Sequence, residues 1–572
     1  MILLCPVWTL AANLPNTQSP LGINLEAVTY YSTEFPFINN FLTASQWITH
    51  SDTTWDTNEE QYANLDANGW PITLISVNES SRQQYNSLGV VLFLGGFNTS
   101  NGYYPGGRYI VLYDGRGTLT YGLDATLVRR SPGRDEINVV PSKNGIDLRI
   151  TVTDPKHTGD YVHNVRLVSA DNEAAIKAGQ IFNPKFLEFI QHFRALRFMD
   201  WLQTNGSAIR LWSDRPLPSQ AFFGTRKGVP IEVAVEAANA ISADAWLNVP
   251  AMADDHYITQ MATLVHGLLG STQKVYVEYS NEVWNASFSQ YDYALSQGKA
   301  LWPTPTLAHA LAHMLGLSWR GAGGSGGYEW NRNFYGMRTA QMCDLWKAAW
   351  RSDSGRVICV LGAQAAWSFS ATEALKCPYW TQGAPCSGHG INAVAIAPYM
   401  GGEVPSAWTS HTDGGLADLF QSIYSQNDPS IPKGGFLAQV GGWEQDFARN
   451  VSEPYKLPLI AYEGGQTFAN GSTAALDTLY VAANVDPGIA QAYAKYFQQW
   501  KSLGGQLFVY YNDVGVGGKY GSWGAIQSLM QTTVPLSSAP PKWQAIQNFI
   551  SSTPCWWTNC VSTAQVPVTT TH

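Results

Sequence analysis

Two glutamates in this chain stand where chemistry could be done: Glu282 in YSNEVWN and Glu463 in AYEGG. Two carboxyl groups about 5 to 5.5 Å apart hydrolyse a glycoside with retention, one protonating the departing oxygen while the other attacks the anomeric carbon. A separation of about 6.5 to 9.5 Å leaves room for a water and gives inversion instead. An Asn-Glu dipeptide alone is common and ordinarily caps a helix or faces solvent. The pair acquires meaning only if the fold brings together positions 463 − 282 = 181 residues apart.

Other residues offer weaker signals. The chain carries 22 Trp and 28 Tyr, and flat apolar sugar faces stack well on such rings, although a large core also consumes many of them. Trp284, two positions past Glu282, and Trp367 are the leading candidates for a sugar-binding cleft. Asp200, Trp201 and Trp246 fit subsites or plain packing equally well. Asp254, Asp255 and His256 in AMADDHY read better as a helix cap than as sugar ligands. Seven cysteines show no zinc-type spacing, so no metal site is indicated, and the chemistry calls for no cofactor.

Elements able to position such residues follow from the periodicity. From 183 onward, amphipathic helices alternate with short apolar strands, beginning with the helix NPKFLEFIQHF (183–193). The strands are ALRFM (195–199), AWLNVP (245–250), KVYVEYS (274–280), RVICVLG (356–362), AVAIAPY (393–399), LPLIAYE (457–463) and QLFVYYN (506–512). An eighth is available in LGINLEAV (21–28), followed by a helix-like FINNFLTASQWI (37–48). Between them, alternating runs with Asp114-Gly115 and Asn144-Gly145 as hairpin signals predict a β-sandwich. The predicted fold is therefore a (β/α)8 TIM barrel with a β-sandwich inserted after its first βα unit. Its divisions are 1–49 for that unit, 50–182 for the sandwich, 183–552 for the remaining barrel and 553–572 for a tail. A doubly wound sheet is the rival, but no Gly-rich phosphate loop opens any of the helices. In a barrel the C-terminal ends of all strands face one mouth, so Glu282 past the fourth strand and Glu463 closing the seventh can meet there.

With an Asn-Glu at the end of strand four and a Glu at the end of strand seven, the chain resembles clan A of the glycoside hydrolases, the 4/7 barrel superfamily. The resemblance implies that Glu282 is the acid/base and Glu463 the nucleophile, with Asn281 on the sugar 2-hydroxyl. Arg197, ending strand two, then keeps the nucleophile ionised, and Tyr399, ending strand six, hydrogen-bonds it. Where the clan usually ends strand eight in a sugar-stacking Trp, this sequence has Tyr510, Tyr511 and Asn512, so Trp523 is the candidate for that platform. The sandwich lies outside the resemblance; a carbohydrate-binding module and a structural support are equally open for it. The implied substrate is a β-linked polysaccharide or its oligosaccharides, of β-glucan, xylan or mannan type. An exo-acting enzyme such as an arabinofuranosidase, a transglycosylase, and a carbohydrate-binding protein that has lost the chemistry are the alternatives.

Composition narrows the setting. A net charge of -9 without clustered basic runs argues against a nucleic-acid partner, and no run of 18 or more uninterrupted apolar residues suggests a membrane span. Cys377/Cys386 and Cys555/Cys560 are spaced for small disulfide loops, which favours a secreted or periplasmic protein, while Cys343 and Cys359 fit buried thiols. The start MILLCPVWTLAANLP lacks the basic residues of a good signal peptide. Asn-x-Ser/Thr sites occur at Asn78, Asn98, Asn205, Asn285, Asn450 and Asn470. A glycan on Asn285 would crowd Glu282, so an unglycosylated, bacterial origin is expected.

Overall fold

The computed structural model describes residues 16–74, 84–95, 104–303, 327–381, 384–533, 535–558 and 560. The apolar start with Cys5, and the Asn78 and Asn98 sites, lie outside them. The described chain opens with β1 (Leu21–Asn24) and continues through β2 (Ile48–His50), β3 (Ser87–Leu92), β4 (Gly107–Asp114) and β5 (Gly117–Leu123). There follow β6 (Ala125–Ser131), β7 (Arg134–Val139), β8 (Ile146–Thr153) and β9 (His163–Ser169). The later strands are β10 (Ala195–Arg197), β11 (Asp244–Val249), β12 (Val275–Tyr279), β13 (Val357–Ala363), β14 (Ala393–Ile396), β15 (Leu459–Ala461) and β16 (Phe508–Tyr510).

β1 and β10 through β16 close a parallel barrel in that order, with β1 paired to β10 on one side and β16 on the other. Every predicted barrel strand is present. Side chains alternate across the barrel wall, as strand geometry requires. Those pointing outward, such as Leu196, Leu247, Val277 and Leu361, join the large core beneath the helices. Those pointing inward, including Trp246, Tyr276, Val360, Ile460 and Val509, fill the barrel with a core of their own, against which Trp557 packs. The helix Pro184–Ile190 returns the chain to the barrel, with Asn183 capping it by accepting from Lys185 N and proline at its first turn.

Between β1 and β10 the strands form two four-stranded antiparallel sheets, in the orders β2-β3-β8-β5 and β6-β7-β4-β9. The two strongest hairpin signals do not make hairpins. The Asp114-Gly115 turn joins β4 to β5 and Asn144-Gly145 lies between β7 and β8, each passing from one sheet to the other. Glycine is needed at both for φ (79° and 71°) and for close approach: a Cβ on Gly115 would stand 1.9 Å from Tyr161 O, and one on Gly145 2.3 Å from Leu92 O.

Two further expectations need correction. The stretch 37–48 is no α-helix: it is a 3-10 turn (Asn40–Thr43) that runs into β2. Asn39 Oδ1 accepts from Phe41 N and Leu167 N, tying the turn to β9. Phe41 stacks on Trp70 at 5.5 Å, and Trp47 meets Phe222 at 5.9 Å, so burial of these rings outweighs the helical pattern. The tail expected from 553 is packed as far as Cys560: Cys555 N donates to Gln18 O and Arg194 Nη2 to Cys560 O.

Both predicted disulfide loops are closed, Cys377–Cys386 and Cys555–Cys560, and Cys343 and Cys359 are buried thiols. Among the described residues no helix is long and apolar enough to cross a membrane.

Candidate active site

Arg197, the last residue of β10, organises the mouth. Its guanidinium is fully buried and all five of its N–H groups are used. Nε and Nη2 donate to Glu278 Oε2 (3.2 and 2.9 Å), Nη1 to Asn24 Oδ1 (2.9 Å) and Glu463 Oε1 (2.8 Å), and Nη2 to Asn281 Oδ1 (2.8 Å). One cation thus ties together the ends of β1, β10, β12 and β15. The second oxygen of Glu463, Oε2, accepts the Tyr399 hydroxyl at 2.9 Å. Glu463 is therefore held in one orientation by a charged and a neutral donor.

Glu282 follows β12 after a turn in which Ser280 (φ 57°) and Glu282 itself (φ 42°) take left-handed conformations that non-glycine residues seldom adopt. Strain of this kind persists only where the surroundings hold it, and it gathers at functional positions. Here the holders are Tyr462, whose hydroxyl donates to Glu282 Oε1 at 2.7 Å, and Asn285, whose Nδ2 donates to Oε2 at 2.8 Å. Tyr462 is the neighbour of Glu463 in sequence, so the two glutamates share a wall of the mouth, and each affects the other's titration.

Burial pushes the Glu463 carboxyl up to about 8 against the pull of Arg197, with Glu282 and Asp200 adding to the rise. Burial also raises Glu282, opposed by its bonds from Asn285 and Tyr462. The Arg197 charge is opposed by burial, but Glu278 and Glu463 outweigh that and hold it protonated. Two carboxyls in such a place titrate as a pair that retains one proton well above the ordinary carboxylate range.

The structure links Arg197, Glu463, Asn281 and Tyr399 directly and brings Glu282 beside them through Tyr462. Trp523 joins them, its ring centroid 5.4 Å from that of Tyr399 and 6.2 Å from that of Tyr511. Trp284 and Trp367 meet at Arg332, which donates to Trp284 O (3.2 Å) and lies 5.7 Å from the Trp367 ring. Asp254 caps the following helix, accepting from Tyr257 N, and Asp255 pairs with Arg338. Trp201 and Trp246 are fully buried; the indole of Trp246 donates to Glu278 Oε2 at 2.9 Å.

Several site residues went unread in the sequence. Glu278 is one, yet a carboxylate inside the apolar run KVYVEYS, on the inward side with Tyr276, was a usable signal, because charges are seldom buried unpaired. Asn24 and Tyr462 had no such mark. Nor did the group formed by Glu26 after β1, Asn512 and Asp513 after β16, and Tyr511, whose hydroxyl donates to Asp200 Oδ2 at 3.4 Å.

Fold and site together define a (β/α)8 barrel presenting paired glutamates from its fourth and seventh strands at one mouth, the arrangement in which the chain resembles clan A. No protein-family model and no curated protein matches the sequence. Solved structures do resemble it at low similarity. The family 5 xyloglucanase from Paenibacillus pabuli is 11% identical with a TM-score of 0.35, covering 64% of this chain and 90% of its own. The GH5-4 broad specificity endoglucanase from Clostridium acetobutylicum is 12% identical with a TM-score of 0.33, covering 64% and 89%. A double mutant of the β-glucosidase from Trichoderma harzianum is 10% identical with a TM-score of 0.33, covering 59% and 80%. At TM-scores this low, none of these likenesses says what this chain acts on.

Proposed function

We propose that the protein is a retaining glycoside hydrolase acting on a β-linked polysaccharide of β-glucan, xylan or mannan type, with Glu463 as nucleophile and Glu282 as acid/base. What carries this is the asymmetry between the two carboxyls. Glu463 has a buried arginine on one oxygen and a tyrosine hydroxyl on the other, whereas Glu282 has only neutral donors. The proton that the pair retains therefore belongs on Glu282, since Arg197 stabilises charge on Glu463 more directly.

In the first step Glu463 attacks the anomeric carbon and forms a glycosyl ester. The glycosidic C–O bond breaks as Glu282 gives its proton to the departing oxygen. In the second, ionised Glu282 takes a proton from water, whose oxygen attacks the anomeric carbon and frees Glu463. Trp523, whose ring lies 5.4 Å from that of Tyr399, is the residue proposed to stack on the sugar. The two disulfides fit export to an oxidising compartment.

The test is exchange of roles. Glu282→Gln and Glu463→Gln should each lose nearly all turnover while keeping their fold. Azide should rescue Glu463→Gly on an activated aryl glycoside with inversion, and Glu282→Ala with retention. The opposite stereochemistry would show acid and nucleophile exchanged, and near-wild-type activity in either glutamine variant would remove that residue from the mechanism.

A further inference from the structure

Glu278 lies in the barrel wall behind the catalytic pair, and the displacement does not use it. It is 1% exposed, and four N–H groups converge on its Oε2: Arg197 Nε (3.2 Å) and Nη2 (2.9 Å), the Trp246 indole (2.9 Å) and Asn248 Nδ2 (2.9 Å). Four donors on one oxygen, two of them from a guanidinium, describe a carboxylate and not an acid. Its other oxygen turns toward β13, where a Cβ on Gly362 would stand 3.1 Å from Oε1. Glycine at 362 leaves the carboxylate its place.

A charge buried this deeply is costly unless it is paired, and its partner is the cation that also holds the nucleophile. Arg197 gives two N–H groups to Glu278 and one to Glu463. When Glu463 is ionised, one positive charge therefore faces two carboxylates, and the three groups carry a single net negative charge.

That balance bears on the proton of the pair. Without Glu278, Arg197 and Glu463 would be neutral together and would oppose the ionisation of Glu282 less. With it, ionising both catalytic carboxyls sets three carboxylates around one guanidinium. Burial is the first cause of the rise in Glu282, and Glu278 adds to it, against the pull of Arg197. On Arg197 itself, burial is countered first by Glu278 and then by Glu463. The other titratable groups facing Glu278 are phenols. Tyr335, on the helix Tyr328–Trp350, donates to Gly362 O at 2.8 Å, and Tyr462 adjoins Glu463. Burial holds both neutral, and Glu278 adds to that.

We propose that Glu278 is a positioning residue whose carboxylate shares Arg197 with Glu463, so that the arginine fixes the nucleophile while the mouth keeps a proton for Glu282 to donate. This rests on the assignment of Glu282 and Glu463.

The test uses the full chain and the pH dependence of kcat/KM on whichever of β-glucan, xylan or mannan is cleaved, since departure of an unactivated sugar needs the proton. Glu278→Gln keeps the shape and an acceptor for the four donors but removes the charge. Arg197 is then left to Glu463, both catalytic carboxyls ionise more readily, and both limbs of the profile should move to lower pH. Glu278→Asp keeps the charge, so its limbs should stay with those of wild type even where kcat/KM falls. A residue that only fills space would lower the profile without moving it. Circular dichroism and thermal melting check that the variants fold.

Unmoved limbs in Glu278→Gln, limbs moved to higher pH, or the same displacement in Glu278→Asp would overturn the proposal while leaving the two glutamates untouched. If Glu278→Gln does not fold, Trp246→Phe takes its place, because it removes one donor from the carboxylate and leaves the charge. Its limbs should move the opposite way, to higher pH, and limbs that stay or fall refute the sharing. Should no glycan be cleaved, the catalytic assignment fails separately. Carbon-13 NMR of the glutamate carboxyls, with Glu282 and Glu463 assigned from their glutamine variants, then still reads the two titrations. Both lowered in Glu278→Gln supports the sharing, and unchanged or raised titrations refute it.

Discussion

Glu282 has both oxygens occupied, by Tyr462 and by Asn285, and these bonds favour its ionised form while burial favours the neutral one. Removing a donor to the charged form must raise the carboxyl further. Tyr462→Phe should therefore move the alkaline limb of the kcat/KM profile upward. It should also slow the second step, in which Glu282 acts as base, so that kcat for aryl glycosides with good leaving groups falls about tenfold. A profile with an unmoved alkaline limb would show that Tyr462 only fills space. Asn285 carries a second consequence, because the nitrogen that would bear a glycan is the one 2.8 Å from Glu282 Oε2. Expressed through a eukaryotic secretory route, molecules glycosylated at Asn285 should be inactive. Ser287→Ala, which removes the acceptor sequence but keeps the amide, should be active from the same host. Mass spectrometry of lectin-separated fractions, each assayed, checks both.

Among elements, the strands do the positioning. Alternation along β11 and β12 turns Trp246, Asn248 and Glu278 inward, and Asn248 Nδ2 and the Trp246 indole both donate to Glu278 Oε2. That fixes the carboxylate on which Arg197 rests. The helices support the wall from outside, and the helix Gly435–Phe447 buries a carboxyl of its own, Glu444, only 1% exposed. Desolvation outweighs the contact with Gln499 and raises Glu444 to about 8 from an ordinary 4.5. Between those values the native state holds a proton that the unfolded chain has released. Stability from this group is thus complete below about 4.5 and is lost as pH climbs to about 8, by about 1.4 kcal/mol per unit. Glu444→Gln should gain nothing in thermal stability at pH 4.5 relative to wild type and an increasing margin toward pH 8. A constant margin across the range would contradict this.

At the scale of the whole molecule, the sheets between β1 and β10 share one continuous hydrophobic core with the barrel. Phe41 and Trp47, which lead into β2, pack on Phe222, which follows β10, at 6.4 and 5.9 Å, and Trp70 packs on both of them. We propose that the two parts unfold together. Calorimetry should give a single transition, and Phe41→Ala should lower it as a whole, by about 3 to 5 kcal/mol of stability. Two resolved transitions, with only one moved by Phe41→Ala, would show independent domains.

What the sequence determined by itself was whatever repeats at short range. The period-two and helical patterns named all eight barrel strands, and short cysteine spacings named both disulfide loops. The strand ends then placed Glu282, Glu463, Arg197 and Tyr399 at one mouth, because a parallel barrel sends every strand's C-terminus to the same face. Only the tertiary structure decided what depends on long-range closure. Asp114-Gly115 and Asn144-Gly145 link opposing sheets, since a turn dipeptide sets a reversal but not the strand that will pair after it. The helical pattern at 37–48 yielded to aromatic burial against residues nearly two hundred positions away. Glu26, Asp200 and Asn512 became neighbours because β16, β1 and β10 are adjacent in the closed ring, a proximity with no trace in local sequence. Only that closure could set these scattered carboxyls and amides side by side.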